Sequence, residues 1–462
     1  MNKNATVAIP LVLAMLLSAC GGGGSGSPTT DASSSNAPPP APAPGPAPAP
    51  APAPAPTDIL QPGAFAPFGP TVLASNIAAS ANKNLTSTAR LTGGGSVVAW
   101  VAGTSLLVQP LDAEGDAVGA AQAAGTVLMG DPDVSTRLSV VATADGGWLL
   151  AWIAADHSVL FRRYAASGAP VAAAASADAT AYTKTLGIQA RALADGGFVV
   201  AWVASEGASP PRAHLRRFSA AGTAVTARVG LSNSAGAQAA LQVTPMPDGN
   251  FLAAWVQRNP DGMESVLARR LDAALDAAGP EQLLQPAGLQ PSGGLHRYSL
   301  LGAASLSRGA ALFAWAYYDG GPSLQVRWQL FDALGTPATS SSSPASASFR
   351  NDSFLDSVQV IPAATGFRIV AESNLTNYRT TEAYTTILEI GGAGELLDST
   401  ETTRTLSLVN VVSGTGCSGP TQPGVAVGGG EDGHYLLAYA VCVMGGPLPA
   451  PFPPANLEVL GR

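Results

Sequence analysis

The side chains best equipped for chemistry recur along this chain instead of clustering. Aspartates stand beside glycine at Asp145, Asp195, Asp248 and Asp432, in Asp-Gly-Gly, Asp-Gly-Asn and Asp-Gly-His. Calcium would require six to eight oxygens converging from a dense acidic loop, and each of these turns offers one carboxylate. Asp next to Gly is instead the composition of a tight hairpin turn, where both tolerate positive φ. Arginines come in pairs, Arg162 with Arg163, Arg216 with Arg217, and Arg269 with Arg270. Such a series could ring an anion. Neighbours on a strand point to opposite faces, so one member of each pair shares a face with Tyr164, Phe218 or Leu271. Recurrence in one frame favours packing against a neighbouring unit, with guanidinium stacking on Trp as a fitting contact.

The remaining candidates are sparse. Four histidines, His157, His214, His296 and His434, lack metal-ligand spacing and read as surface residues. Gly-Thr-Gly at 414–416 has no strand–loop–helix setting for phosphate. No Ser lies in a nucleophile elbow with a matching His and acid. The sialidase-type Asp box is absent. Neither a catalytic residue nor a metal or other cofactor is expected. Paired carboxylates for glycoside hydrolysis stay open, because they can come from distant parts of the chain.

The elements that carry these residues are set by a repeated phrase. It reads Trp148-Leu149-Leu150-Ala151-Trp152, Phe198-Val199-Val200-Ala201-Trp202 and Phe251-Leu252-Ala253-Ala254-Trp255. Looser copies end at Trp100, Trp315 and Tyr439, and a degenerate one, Phe367 to Ala371, puts Ala in the Trp place. From Trp100 to Trp315 the steps are 52, 50, 53 and 60 residues. Periods near ~40–50 residues mark stacked four-stranded units, the blades of a β-propeller. Within one unit, Leu186–Ala194 is a first strand, Asp195-Gly196-Gly197 a turn and Phe198–Ala204 a buried second strand. A longer loop leads to a third strand at Leu215–Phe218, and Ala224–Val229 is the fourth. Seven such units are predicted. The last unit is one strand short, and Gly69–Ala74 stands alone before the first. That N-terminal strand is expected to complete the last blade and close the ring, which removes open sheet edges.

The phrase Asp-Gly-Gly-Phe-Val-Val-Ala-Trp, with Arg-Arg-Phe and a small-residue turn, resembles propeller-type repeats of bacterial surface and exported proteins. The likeness covers about residues 69–462. It implies an architecture and leaves the activity open.

The N-terminus reads as an address. Lys3 precedes an apolar stretch, Val7–Leu17, too short for a membrane span of ~20 residues. It ends in Leu17-Ser18-Ala19-Cys20, which resembles the lipobox of bacterial lipoproteins. The resemblance implies removal of residues 1–19, acylation of Cys20 and, with Gly21 in place of Asp, the outer membrane. Residues 20–63 are Gly/Ser-rich and then almost pure Ala-Pro, a flexible tether passing into polyproline II at roughly 3.1 Å per residue. Residues 64–462 are then the propeller domain. With Cys20 lipidated, Cys417 and Cys442 remain, and an exported chain suggests a disulfide between them.

Composition narrows the partners. The chain has 462 residues, a formal charge of −8 and only 12% charged residues. Nucleic acid demands a dense basic surface and is not expected as a partner. The membrane is expected as a partner through the Cys20 anchor, the protein is expected to be a monomer, and a protein or glycan is expected as its ligand. The first–second and third–fourth turns are short and uniform. The second–third and inter-unit connections, including 257–264, 317–323, 340–356, 372–386 and 442–456, read as long, irregular loops on the opposite face. They carry Tyr317, Tyr318, Arg350, Asn351, Asn374, Asn377, Tyr378 and Tyr384, residue types suited to recognition on a rigid scaffold. The leading expectation is a non-catalytic binding or scaffolding lipoprotein of the cell envelope. The alternatives are a carbohydrate-active hydrolase or lyase, and a factor in outer-membrane protein assembly.

Overall fold

Turn chemistry and buried apolar strands determine what forms. In the computed structural model the residues described are 72–74, 86–113, 116–129, 134, 136–232, 234, 236–259, 263–288, 300–318, 324–338, 345–348, 354–376, 380–407, 424–431, 435–440 and 456–461. Contacts divide the chain into residues 1–59 and 60–462, and everything described lies in the second unit. Cys20, the tether, Cys417, Cys442, Arg350, Asn351, Tyr378 and the turn at Asp432 fall outside the described residues.

The described strands form seven antiparallel four-stranded sheets. Six are continuous in sequence, spanning 86–126, 138–176, 184–230, 237–288, 301–348 and 354–407. The seventh joins Gly424–Gly429, Tyr435–Ala440 and Asn456–Gly461 to the distant strand Val72–Ala74, with Val72 opposite Glu458. The innermost strands are Thr86–Arg90, Leu138–Ala142, Lys184–Ala192, Ala237–Pro245, Leu301–Ser305, Phe354–Ala363 and Gly424–Gly429. Each packs beside the innermost strand of the next sheet, and Gly424–Gly429 packs beside Thr86–Arg90.

The second strand of each regular sheet is apolar on both faces because both faces are covered. Phe198–Ser205 is buried at every position, sharing its sheet with Lys184–Ala192 and Arg212–Phe218. Its even face packs with Phe161 and Ile188, toward the second sheet; its odd face packs with Leu241 and Phe251, toward the fourth. Trp148, Trp152, Trp202, Trp255 and Trp315 are fully buried. Burying an aromatic of this size removes ~150–250 Å² from water, so these positions dominate the joints between sheets.

Several sequence expectations change. Residues 372–376 and 380–386, expected in a loop, are strands. Strands Gly366–Thr376 and Thr380–Gly391 pair continuously from Gly366 with Gly391 to Thr376 with Thr381. Residues 340–356 include strands at Ala345–Ser348 and at Phe354 onward. Ala224 forms only a bridge to Phe218, and the fourth strand of its sheet is Val229–Gly230. Tyr317 and Tyr318 end the strand Ala311–Tyr318, and Asn374 and Tyr384 lie on neighbouring strands of the sixth sheet.

Candidate functional site

The recurring Asp residues brace their own sheets, and the Arg residues that pair with them or stand beside those partners join sheet to sheet. Asp195 caps its own turn by accepting the Gly197 amide at 2.8 Å, and its second oxygen takes Arg217 at 2.6 Å. The Gly197 amide, then Arg217, hold its carboxyl below the usual carboxylate range. Asp145 with Arg163 and Asp248 with Arg270 repeat the arrangement. The same Arg217 donates to the Ala273 carbonyl in the next sheet at 2.6 Å, and Arg163 donates to Ala220 likewise. The first arginine of a pair reaches backward. Arg216 donates to Ala177 and Arg269 to Leu231, each at 3.0 Å and each just past the fourth strand of the preceding sheet. The guanidinium of Arg216 lies over Phe218, 5.8 Å from the ring centre, where stacking on Trp had been the expectation. These arginines are committed to holding the sheets together.

A second set lines the cavity between the innermost strands. The cavity has a volume of about 490 Å³ and draws its wall from all seven innermost strands. The residue opposite the Ala of each Ala-Trp phrase points to a common pattern. Ser87 faces Ala99, Ser139 faces Ala151, Gln189 faces Ala201, Gln242 faces Ala254 and Gln359 faces Val370. Three of them tie neighbouring strands. The Val140 amide donates to Ser87 at 3.0 Å, the Ala190 amide to Ser139 at 3.1 Å, and the Val243 amide to Gln189 at 2.6 Å. Gly302 holds the equivalent place in the fifth sheet. A Cβ there would stand 2.9 Å from the Val358 carbonyl oxygen, so close approach of the sixth sheet requires glycine. The sequence reading missed this set. Laying first strands against the repeat would have shown it.

Two positions along from that register, Arg191 is the one charged side chain at its place among the described residues. It lies two positions beyond Gln189, where its equivalents are Val141 and Thr244. Its guanidinium crosses to two other sheets, donating to Gln242 Oε1 at 3.3 Å and to the Ala303 carbonyl at 3.2 Å, and it donates to its neighbour Ala190 at 3.1 Å.

A third cluster sits at the outer end of the third sheet. Asp178 accepts the Tyr182 hydroxyl at 2.6 Å and Arg228 at 3.2 Å, and Arg228 also meets Glu206 at 2.6 Å. Burial and the hydrogen bond to Asp178 push the Tyr182 hydroxyl up to about 12. Burial acts to raise Asp178, but hydrogen bonds from Tyr182 and Thr180 and the Arg228 charge leave it below the ordinary range. A low carboxylate beside a high phenol is an ion-pair network, with neither group poised to exchange protons near neutrality. His214 lies beside it, tilted against Trp202 with ring centres 5.7 Å apart. It is buried, which corrects the surface expectation, and burial pushes it down to about 4.

Of the expected recognition face, Tyr317 is half-buried beneath Arg327, whose guanidinium carbon sits 3.4 Å from the ring centre. Arg327 is held by Gln285 of the preceding sheet at 2.8 Å. Asn374 and Tyr384 are brought onto adjacent strands of the next sheet, at the end where second strands finish. Among the described residues no group of three or more His, Cys, Asp or Glu side chains could hold a metal ion.

The chain is thus an all-β protein of the propeller type. No known protein family matches its sequence, and no curated protein matches it. Solved structures do match. A puromycin hydrolase aligns at 15% identity and TM-score 0.41 over 81% of this chain, which spans about half, 52%, of that enzyme. An ulvan lyase aligns at 8% identity and TM-score 0.46, over 84% of this chain and 93% of its own. An α-L-arabinanase of Penicillium chrysogenum aligns at 12% identity and TM-score 0.39, over 73% and 99%.

Proposed function

We propose that this protein is a closed seven-bladed propeller, carried on a tether lipidated at Cys20 in the bacterial outer membrane, and that it binds or scaffolds partners without catalysis. The seven four-stranded sheets, the pairing of Val72–Ala74 with the C-terminal strand and the contact of the last innermost strand with the first support the ring. The lipobox-like run ending at Cys20 supports the anchor. A Cys417–Cys442 disulfide belongs to the same reading, and thiol labelling of the denatured, unreduced chain tests it.

One observation carries the binding role. The sixth sheet rises beyond its neighbours on the face of the second–third connections. Its strands have 10, 11, 12 and 12 residues, against 9, 8, 7 and 2 in the third sheet. Measured from the equivalent residues Phe218 and Ile390, its third strand runs about four residues further, ~14 Å at 3.4 Å per residue. A long paired hairpin is a rigid display element, and its outer strand Leu396–Ser407 offers main-chain groups to a partner. Shortening the hairpin by replacing 374–383 with a tight turn tests the role. Immobilised full chain is offered peptidoglycan, lipopolysaccharide and outer-membrane protein fractions. Capture that disappears in the shortened, still folded variant supports the reading. Equal capture by both overturns it, and turnover of a polysaccharide panel or recovery of assembly-machinery subunits selects one of the alternative functions.

A further inference from the structure

Arg191 presents an unresolved charge. Its side chain is half-buried, and it lines the cavity between the innermost strands. A guanidinium has five N–H donors. Arg191 uses three, all on neutral acceptors, the Ala190 and Ala303 carbonyls and the Gln242 side chain, at 3.1–3.3 Å. Two donors therefore have no partner among the described residues. Arg163, Arg217, Arg228, Arg258, Arg269, Arg270 and Arg368 each meet a carboxylate. Arg191, like Arg216 and Arg327, meets only neutral groups among the described residues, but unlike them it lines the cavity between the innermost strands. Burial lowers its pKa to about 10, so it remains a cation at neutral pH. A half-buried charge without a counter-ion carries part of the desolvation cost, and an anion delivered from solution into the cavity would offset it.

The surroundings define what could deliver it. Thr244 and Ser305 hydroxyls lie on the same wall, hydrogen-bonded to each other at 2.8 Å, and each keeps lone pairs for a further donor. Gln189 and Gln242 amides adjoin the guanidinium. A cavity of about 490 Å³ lies within the range of small-molecule sites, ~300–1,000 Å³. We propose that this cavity binds a small, hydroxyl-rich solute bearing an oxyanion, with the oxyanion on Arg191. The carboxylate of an acidic sugar of mono- to disaccharide size is the class that fits best. This site is separate from the recognition face on the sixth sheet, and either can fail without the other.

Isothermal titration of the full chain with D-glucuronate, inorganic phosphate and D-glucose tests it. Glucuronate is expected to bind, and glucose at least about tenfold more weakly, the weight of a charge-assisted pair. Binding of phosphate in place of glucuronate would keep the oxyanion site and assign it to phosphorylated solutes. Arg191→Gln is expected to lower anion affinity by at least about tenfold. Gln242→Glu supplies an internal carboxylate at the guanidinium and is expected to abolish anion binding with the melting temperature unchanged or raised, which covers the case in which Arg191→Gln does not fold. Affinity equal to the parent in Gln242→Glu, or absence of binding by both anions up to roughly 50 mM, overturns the proposal. The variant shortened at 374–383 is expected to bind the anion as the parent does.

Discussion

The third and sixth sheets hold equivalent places in the repeat but are tied, internally and to their neighbours, by different means. In the third, Trp202 fills the joint, Asp195 sits in the first turn, and Arg217 on the third strand completes a half-exposed ion pair. In the sixth, the Trp place is taken by Ala371, and the pair moves onto the strands themselves. Arg368, opposite Glu389, occupies the place of Val199, and Glu389 that of Arg217. The charge order is reversed, and Arg368 is only 3% exposed. The link from the fifth sheet is also rebuilt, with Arg308 donating to the Thr365 carbonyl at 3.3 Å. A joint can therefore be made in more than one way so long as each sheet keeps its length and turn. The sheet that abandons the repeat is also the one whose strands lengthen at the far end. Relief from the repeated pattern and lengthening of the strands coincide in one place.

The sharpest test of that contrast is the aromatic joint. Trp202 lies in a cluster with Phe161, Ile188 and Phe198, wholly buried. Trp202→Ala is expected to cost about 3–5 kcal/mol, the range for removing a large core aromatic. Urea unfolding would read it as a lower midpoint with the slope unchanged. A cost below about 1 kcal/mol would mean that the third sheet tolerates Ala as the sixth does, and the distinction between the two would collapse.

The third sheet was legible because its chemistry is local. Asp195-Gly196-Gly197 specifies a hairpin by backbone preference, with Gly196 at φ +79°, and the all-apolar strand after it can only be buried. The sixth sheet was misread for the converse reason. Residues 372–386 are Ser, Thr, Asn and Glu rich, and a polar stretch reads as a loop. Its pairing is supplied from outside by the inner strand and by Leu396–Ser407. The β-branched run at Thr380, Thr381, Thr385 and Thr386 was the signal available. Arg191 was invisible for a different reason. Its role depends on a carbonyl 112 residues away, and no spacing rule links Arg191 to Ala303.

Acid should separate the two sheets next. His214 belongs to the third sheet, and its folded-state pKa is pushed by burial from 6.5 down to about 4. Above pH 6.5 both folded and unfolded forms carry neutral imidazole, and the group has no effect. As pH falls from about 6.5 to 4, the unfolded chain takes up the proton and the folded one does not, so stability falls through that window. At about 1.36 kcal/mol per pKa unit the loss is on the order of 2–3 kcal/mol. His214→Phe is expected to flatten the profile between pH 6.5 and 4. A profile unchanged by the substitution would show that the acid response comes from other groups.

The smallest effects distinguish the two ion pairs themselves. The Asp195 carboxylate is 54% exposed, and Arg217 has the Ala273 carbonyl as a second partner. Asp195→Asn keeps an oxygen for the Gly197 amide and loses only the charge, so its cost is expected to stay under about 1 kcal/mol and to shrink further with salt. Glu389→Gln removes the carboxylate 2.6 Å from a guanidinium that water scarcely reaches. Desolvation of Arg368 is already incurred in the fold, so the expected cost is larger, about 2 kcal/mol, and insensitive to salt. Paired urea titrations at low and at roughly 0.5 M salt, where the Debye length falls to about 4 Å, read both quantities. The comparison holds if the salt dependence appears for Asp195→Asn alone. Equal costs with equal salt dependence would mean that the sixth sheet has moved its ion pair without burying it in any energetic sense, and its departure from the repeat would then be a change of sequence without a change of mechanism.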